Sequence, residues 1–493
     1  MELKIKLLKW SAGIPVAMMN DKTAQKIGVH PQDRISIEKL SGKRKEISAI
    51  IDVVKGLVRH DEIAVSSELK KRLGLKIKEK VEVNLAVVPN SLNFIKRKMN
   101  GHAFSKKEIE IIVEDIVNNS LSDAEIALFI SAIYKNGMSN KETIYLINAL
   151  SKSGHQLKLK NKFIVDKHSI GGVPGNRTTP LVVSICASAG LIVPKNSSRA
   201  ITSAAGTADV LETITHVEFS IKQLKKIVQK TNACMVWGGS LGFVPADSKI
   251  IKVEKMLKID PEPQLISSIM SKKLAAGSKY ILIDLPYGKN AKVDKKEALR
   301  LKKKFEYFGR HFKKKLKAVL TDGRQPIGNG VGPSLELRDI IKILKREESA
   351  PLDLEKKSVF LAGEIFEMTG KAKKGKGEEL ATKILDSGKA FEKFKEIIEA
   401  QGGSIRKLKD AEFTRSVRAK KSGTVEEIKN KEIASLARAA GCPVDKKAGV
   451  YLHYHLGDKV KKGSNLITLH AESKSRLREA LRFYNEKKPI KIK

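Results

Sequence analysis

Residues 163–180 read FIVDKHSIGGVPGNRTTP, and residues 191–207 read LIVPKNSSRAITSAAGT. Each stretch opens on three apolar residues, Phe163 to Val165 and Leu191 to Val193, then enters a polar loop that leads into a helical pattern. A short apolar strand, a small-residue turn and a helix form the repeating unit of a parallel α/β sheet. In such sheets ligands bind in the crevice at the carboxyl ends of adjacent strands. The first loop, with Gly171 and Gly172 ahead of a helix opened by Thr178, Thr179 and Pro180, gathers backbone N–H groups and a positive helix end around one point. Anions bind at such a point; Lys167 adds a charge, and Ser169 and Thr179 add hydroxyl donors. A lone glycine pair in a turn is more often structural, and the second loop, Lys195 to Thr207, is what turns one anion-friendly turn into a candidate crevice.

Outward from these loops the alternation continues. Helical patterns at Thr178 to Ala189, Thr207 to Ile214 and Ser334 to Leu344 interleave with the strands YILIDL from Tyr280 and AVLTD from Ala318. Upstream, Phe104 to Val117, Asp123 to Lys135 and Asn140 to Ser151 carry apolar residues at three and four spacing behind the caps Ser105, Ser122 and Ser139, which predicts a small α-helical lobe. Further upstream lies an internal repeat. Ala17 through Gly28 to Ile37 matches Ile63 through Gly74 to Val83 at an offset of 46 residues, each copy reading strand, short helix ending at Gly, acidic turn (Asp33, Glu79), strand. Two units that cannot bury their own apolar faces should pair into one small β-barrel, and the pattern resembles a double-psi β-barrel. The last eighty residues, with GDKVKKG from Gly457 to Gly463, read as a lipoyl-like β subdomain; no lysine sits at a hairpin tip as lipoylation requires, so a structural or assembly role is expected. The expected organisation is a barrel at 1–88, a helical lobe at 94–160 rejoined by 245–274, an α/β lobe at 161–244 and 275–410, and a C-terminal β/α subdomain at 411–493, with the active site in the cleft between the helical and α/β lobes.

The composition narrows the function. Cys186, Cys234 and Cys442 lie far apart without CxxC spacing, so neither a disulfide framework nor a zinc site is expected, and no cluster calls for a metal or organic cofactor. The amino terminus, MELKIKLLKW, lacks the apolar run of an export signal, and the longest apolar stretch, Pro180 to Pro194, is interrupted by Ser184 and Ser188. A cytoplasmic protein without a membrane partner is expected. A net charge of +40 would attract polyanions, but the lysines are spread along the chain without aromatic interleaving, so a solvated basic surface is the reading and nucleic acid is not the expected partner.

Several motifs in register carry a resemblance. Lys-His-Ser-x-Gly-Gly from Lys167, Ser-x-Arg and Ala-Gly-Thr-Ala-Asp-x-Leu-Glu from Ser197, Pro-Ala-Asp from Pro245 and Ser-Ile-Met-Ser-Lys-Lys from Ser268 resemble the thymidine and pyrimidine nucleoside phosphorylase family, from about residue 95 to the end. The front barrel with SSRAITSAAGTADVLE and KIDPE is similar to that family's archaeal, AMP-cleaving branch. Two positions depart from the pyrimidine enzymes: Val253 stands where they place an arginine for the base, and Ile170 where they carry threonine.

The resemblance implies phosphorolysis of AMP by inorganic phosphate to adenine and ribose 1,5-bisphosphate in a homo-oligomer, and leaves open whether CMP and UMP are also accepted. It implies that Gly172, Ser198, Arg199, Ala200, Ile201, Thr202, Ser203, Thr207, Ser268 and Lys292 contact the nucleotide, and that Lys167, Ser169, Thr179 and Ser197 hold phosphate, with Thr207 able to serve either ligand. Asp260 is the implied proton donor and His168 the second candidate. The residues also carry plainer readings. Asp260-Pro261-Glu262 has the makings of a helix cap with proline at the first position, His168 of a solvated loop residue, Arg199 of a salt-bridge partner, and Lys292 of a solvated lysine. The alternative functions are a pyrimidine nucleoside phosphorylase with an added barrel and a basic nucleic-acid-binding or adaptor protein.

Overall fold

The computed structural model describes residues 1–8, 10–12, 15–42, 45–86, 88–200 and 203–493. Ile201 and Thr202, both expected at the nucleotide, lie outside the described residues. The chain divides into two compact units, one made of Met1–Ser153 and Val244–Ser268, the other of Gly154–Phe243 and Ile269–Lys493.

In the first unit, strands β1 (Glu2–Leu7), β2 (Val16–Asn20), β3 (Arg34–Lys39), β4 (Lys45–Val54), β5 (Glu62–Val65) and β6 (Lys80–Leu85) close a barrel in the order β1-β5-β2-β4-β3-β6. The sequence repeat is visible in three dimensions. Helices Asp21–Ile27 and Ser67–Leu73 end at Gly28 (φ 76°) and Gly74 (φ 65°), a left-handed conformation that glycine adopts without a Cβ clash. The acids of the two turns do equivalent work: Asp33 accepts the His30 N–H at 2.7 Å and Glu79 the Lys76 N–H at 2.7 Å. Alternate residues Ile35, Ile37, Val81 and Val83 are completely buried in its interior.

The helical lobe follows as helices Ser91–Met99, Lys106–Asn118, Asp123–Asn136 and Asn140–Lys152, the last three opened by the capping boxes of Ser105, Ser122 and Ser139. The helix Pro245–Leu257 packs on the last three of them, and Lys249 Nζ donates to the Val117 carbonyl at 2.9 Å, at the carbonyl end of Lys106–Asn118. A buried ion pair ties the lobe together: Lys98 Nζ lies 2.7 Å from Glu142 Oε1, which also accepts the Phe104 N–H at 2.8 Å.

The second unit is built on parallel strands β7 (Val165–Ser169), β8 (Val193–Ser197), β9 (Ala233–Trp237), β10 (Tyr280–Tyr287) and β11 (Lys315–Asp322). They pair as β11-β10-β7 and β8-β9, and a parallel bridge between Ile164 and Ile192 joins β7 to β8. Both key strands run further than their apolar runs predict. The ladder of β7 reaches Ser169, opposite Asp284, and that of β8 reaches Ser197, opposite Trp237, so Asp166 to Ser169 and Lys195 to Ser197 are strand and not loop. The neighbouring strands satisfy their backbone groups, and charge pairing inside the sheet permits polar side chains there. The helix Thr178–Ser188, buried along nearly its whole length, packs with Leu352–Thr369 and Lys389–Ala400 in one core.

The C-terminal module adds β12 (Gly330–Val331), β13 (Phe413–Arg418), β14 (Gly423–Ile428), β15 (Gly449–Leu452), β16 (Lys459–Val460), β17 (Asn465–Ala471) and β18 (Ile490–Ile492), in sheets β12-β15-β17-β13 and β16-β14-β18. Because β12 precedes the module in sequence, its pairing with β15 pins the module to the α/β lobe. Among the described residues no helix is long and apolar enough to cross a membrane.

The ion pair and the caps of the helical lobe should differ in weight. Glu142→Gln, which strips the charge facing buried Lys98, is expected to lower the lobe's stability by about 3 kcal/mol. Ser105→Ala should cost only about 1 kcal/mol. Amide exchange in the helices of the lobe measures both, and equal losses would refute the ranking.

Candidate active site

Strand alternation divides the chemistry of β7 between two faces. Asp166 and His168 point one way, Lys167 and Ser169 the other. On the first face Asp166 Oδ1 accepts from Lys195 Nζ of β8 at 3.1 Å, and Lys273 Nζ stands 2.9 Å from Oδ2. All three are buried. Burial works to raise the Asp166 carboxyl, but Lys195 and Lys273 outweigh it and hold it below its usual range. One carboxylate cannot neutralise two ammonium groups, and burial pushes Lys273 down to about 7. His168, half-buried on the same face, is driven well below the ordinary imidazole value by burial and by Lys273 and Lys195, so it is neutral at physiological pH.

On the second face Lys167 Nζ donates to Thr178 Oγ1. Burial pushes Lys167 down to about 7 against the pull of Asp284. Asn176 Nδ2 reaches Ser169 Oγ at 3.3 Å, and Asp284, fully buried, is paired with Lys357 at 3.2 Å. Thr179, on the first turn of the following helix, is nearly buried. Ser197, at the end of β8, has a buried hydroxyl with no hydrogen-bond partner among the described residues.

The loop after β8 is shaped by its own acids. Asp209 Oδ2 accepts both the Ala200 N–H at 2.7 Å and the Gly206 N–H at 2.8 Å, folding the loop back onto the helix Thr207–Leu211. A Cβ on Gly206 would stand 2.4 Å from the Ser198 carbonyl oxygen, so only glycine allows this approach. Ser198 is exposed, and Ser203 Oγ donates to the Ala205 carbonyl at 2.6 Å. Arg199 is an ion-pair partner here: its guanidinium meets Glu212 through two contacts of 2.7 Å, reaches Glu218 at 3.1 Å, and lies 4.7 Å from the Trp237 ring centroid. Arg199 and Lys446 hold Glu212 down to about 2. Thr207 Oγ1 accepts from Arg177 at 3.0 Å.

Gly172, at φ 88°, packs against Lys292, whose Cβ would be 2.7 Å from any Cβ added to the glycine; the two residues are adjacent. The structure thus gathers Lys167, His168, Ser169, Gly172, Thr179, Ser197, Ser198, Arg199, Ala200, Ser203, Thr207 and Lys292 in one compact unit. Asp260 and Ser268 belong to the other. Asp260 is exposed just ahead of the helix Glu262–Ala275, and Ser268 Oγ donates to buried Asp247 at 3.0 Å. Ile170 and Val253 are both buried apolar residues in their own units.

Sequence reasoning passed over Thr178, Arg177, Glu336 and the Lys195–Asp166–Lys273 cluster. Asp166 and Lys195 stand inside the quoted stretches and Lys273 closes the Ser-Ile-Met-Ser-Lys-Lys motif, so the cluster's members were visible; their convergence was not.

Lys273 yields a pH test. Folded Lys273 titrates near 7 and an unfolded lysine near 10.5. The folded state therefore binds fewer protons between those values, and the penalty of burying the charge is full below pH 7 and fades as pH rises toward 10.5. Lys273→Met, which leaves Asp166 paired with Lys195, is expected to raise the melting temperature relative to the parent more at pH 6 than at pH 9. An equal shift at both values contradicts this account.

Comparison with known proteins places this geometry. Residues 161–391 match the glycosyl transferase family a/b domain, residues 92–154 its helical bundle domain, and residues 424–491 the pyrimidine nucleoside phosphorylase C-terminal domain. The solved anthranilate phosphoribosyltransferase of Thermus thermophilus shares the fold, with a TM-score of 0.52 at 17% identity over 62% of this chain and 99% of that one. Over the full chain, the AMP phosphorylase of Pyrococcus horikoshii is 46% identical across 497 residues, covering 100% of this chain and 98% of the relative. That of Pyrococcus abyssi is 48% identical, and that of Thermococcus kodakarensis 43%, each with the same coverage. With the barrel, the helical lobe, both loops and the C-terminal module all inside the matched span, the chain belongs to the AMP phosphorylase family.

Proposed function

We propose that this chain cleaves AMP with inorganic phosphate, releasing adenine and ribose 1,5-bisphosphate. The observation that carries the reading is the pair of adjacent parallel strand ends at β7 and β8, joined by the Ile164–Ile192 bridge, with Lys167 and Ser169 at one and, at the other, a Ser197 hydroxyl that has no partner among the described residues. Full-length relatedness to AMP phosphorylases supports AMP as the substrate.

In this reading Lys167, Ser169, Thr179 and Ser197 hold inorganic phosphate, and a phosphate oxygen attacks C1′ of the ribose as the C1′–N9 bond breaks. The electron pair of that bond leaves with adenine, and Asp260 supplies the proton at N7. The 5′-phosphate stays on the sugar, which makes the product a bisphosphate. Gly172, Lys292, Ser268, Thr207 and the 198–203 loop hold the nucleotide. Because the Arg199 guanidinium is engaged by Glu212 and Glu218, the loop's contribution is assigned to its backbone N–H groups and hydroxyls. Neutral His168 can serve as a hydrogen-bonding partner to the ligand but not as a cation. Apolar Ile170 and Val253 supply neither the hydroxyl nor the guanidinium of the pyrimidine enzymes, which favours AMP over thymidine. Assembly into a homo-oligomer belongs to this reading and rests on the resemblance.

The decisive assay follows base release from AMP, CMP, UMP and thymidine, with and without phosphate. Phosphate-dependent adenine release is expected; turnover of thymidine alone would overturn the proposal. Asp260→Asn is expected to lower kcat by about 10²-fold or more with little change in AMP binding. Near-parent kcat in that variant removes Asp260 from its role.

A further inference from the structure

Arg177 ends the first loop and occupies the cap position of the helix Thr178–Ser188, with only 8% of its surface exposed. A guanidinium buried to this degree needs acceptors on several sides. It finds three, two at the end of the loop after β8 and one on a separate helix. Nε donates to Glu336 Oε2 at 2.6 Å, Nη1 to Thr207 Oγ1 at 3.0 Å, and Nη2 to the Ala205 carbonyl at 2.6 Å. Glu336 lies in the first turn of the helix Pro333–Leu344, 1% exposed, and its other oxygen accepts the Gly332 N–H at 3.1 Å. The fork therefore links the loop after β7 to the loop after β8, with a third element as its anchor.

The contact with Thr207 has a chemical consequence. A guanidinium has no acceptor site, so Thr207 Oγ1 must receive this bond through a lone pair. Its own proton is thereby turned to another acceptor, and among the described residues no acceptor takes it. A threonine fixed as a donor, beside a loop whose Ala200 and Gly206 N–H groups are already spent on Asp209, is suited to an oxygen of a tetrahedral oxyanion. We infer that Arg177 is a positioning residue for anion recognition: anchored by Glu336, it sets the distance between the two loops and presents the Thr207 hydroxyl as a donor to a substrate phosphate group. The inference rests on the proposed role of Thr207 as a ligand of inorganic phosphate or of the nucleotide.

The test compares KM for phosphate, KM for AMP and kcat across Thr207→Val, Arg177→Met, their combination, and Arg177→Met with Glu336→Gln. The last variant removes the carboxylate that Arg177→Met would leave buried and unpaired, and so keeps the experiment interpretable if the single variant does not fold. Thr207→Val is expected to raise one of the two KM values by about tenfold, consistent with loss of one hydrogen bond to a charged group. Arg177→Met, or Arg177→Met with Glu336→Gln, should raise that same KM by a similar factor, with a smaller change in kcat. Adding Thr207→Val to Arg177→Met should then cost little more, because the arginine acts through the threonine. An unchanged KM for both substrates in Thr207→Val overturns the reading of the site itself. A clear effect in Thr207→Val that simply multiplies with that of Arg177→Met overturns the positioning role, as does a folded Arg177→Met, Glu336→Gln protein with parental KM values.

Discussion

One carboxylate held between two ammonium groups organises the α/β lobe. Asp166 belongs to β7, Lys195 to β8 and Lys273 to the helix that leads into β10, and their contacts are made in the protein interior. Water cannot screen these charges, so their mutual attraction is strong and any displacement is costly. Since the backbones of β7 and β8 are otherwise joined, among the described residues, through the single bridge between Ile164 and Ile192, the cluster fixes the spacing of the two strand ends, and the loops that follow inherit that spacing. Burial, together with the excess of positive charge in the cluster, keeps the His168 imidazole on the same face neutral.

A second layer of paired charges lies beyond the first. Lys357 with Asp284, and Arg177 with Glu336, back the residues of both loops from behind. Each pair costs desolvation, and none is the cheapest way to fill an interior of this size. Their arrangement is better understood as orientation. Ionic groups in fixed directions hold hydroxyls and backbone amides in place before any ligand arrives, and such preorganised donors favour an anion more than mobile ones would.

Much of this architecture was legible in the sequence because it follows from local rules. The 46-residue repeat, the serine caps and the alternation of apolar runs with helical patterns each depend on residues close in the chain, and the barrel, the helical lobe and the parallel sheet correspond to them. The strand limits were less legible. Asp166, Lys167 and Lys195 look like loop residues on hydropathy, and only the neighbouring ladders and buried counter-charges keep them in strands. Arg199 was legible by type but not by state, since Glu212 and Glu218, 13 and 19 residues away, decide how its guanidinium is used. Arg177 and Glu336 are 159 residues apart, and no spacing rule links them.

With β1 to β3 as one copy of the repeat and β4 to β6 as the other, the barrel order β1-β5-β2-β4-β3-β6 alternates strictly between the copies. Among the described residues no strand is bonded to another of its own copy, so a single copy in isolation would present nothing but open edges. Such a cylinder cannot grow by adding one hairpin to a finished half; it closes only once both halves are present, through pairings between residues distant along the chain. By the same logic two separate short polypeptides of one kind could enclose the same interior, and the tandem arrangement seen here amounts to such a symmetric pair joined into one covalent thread.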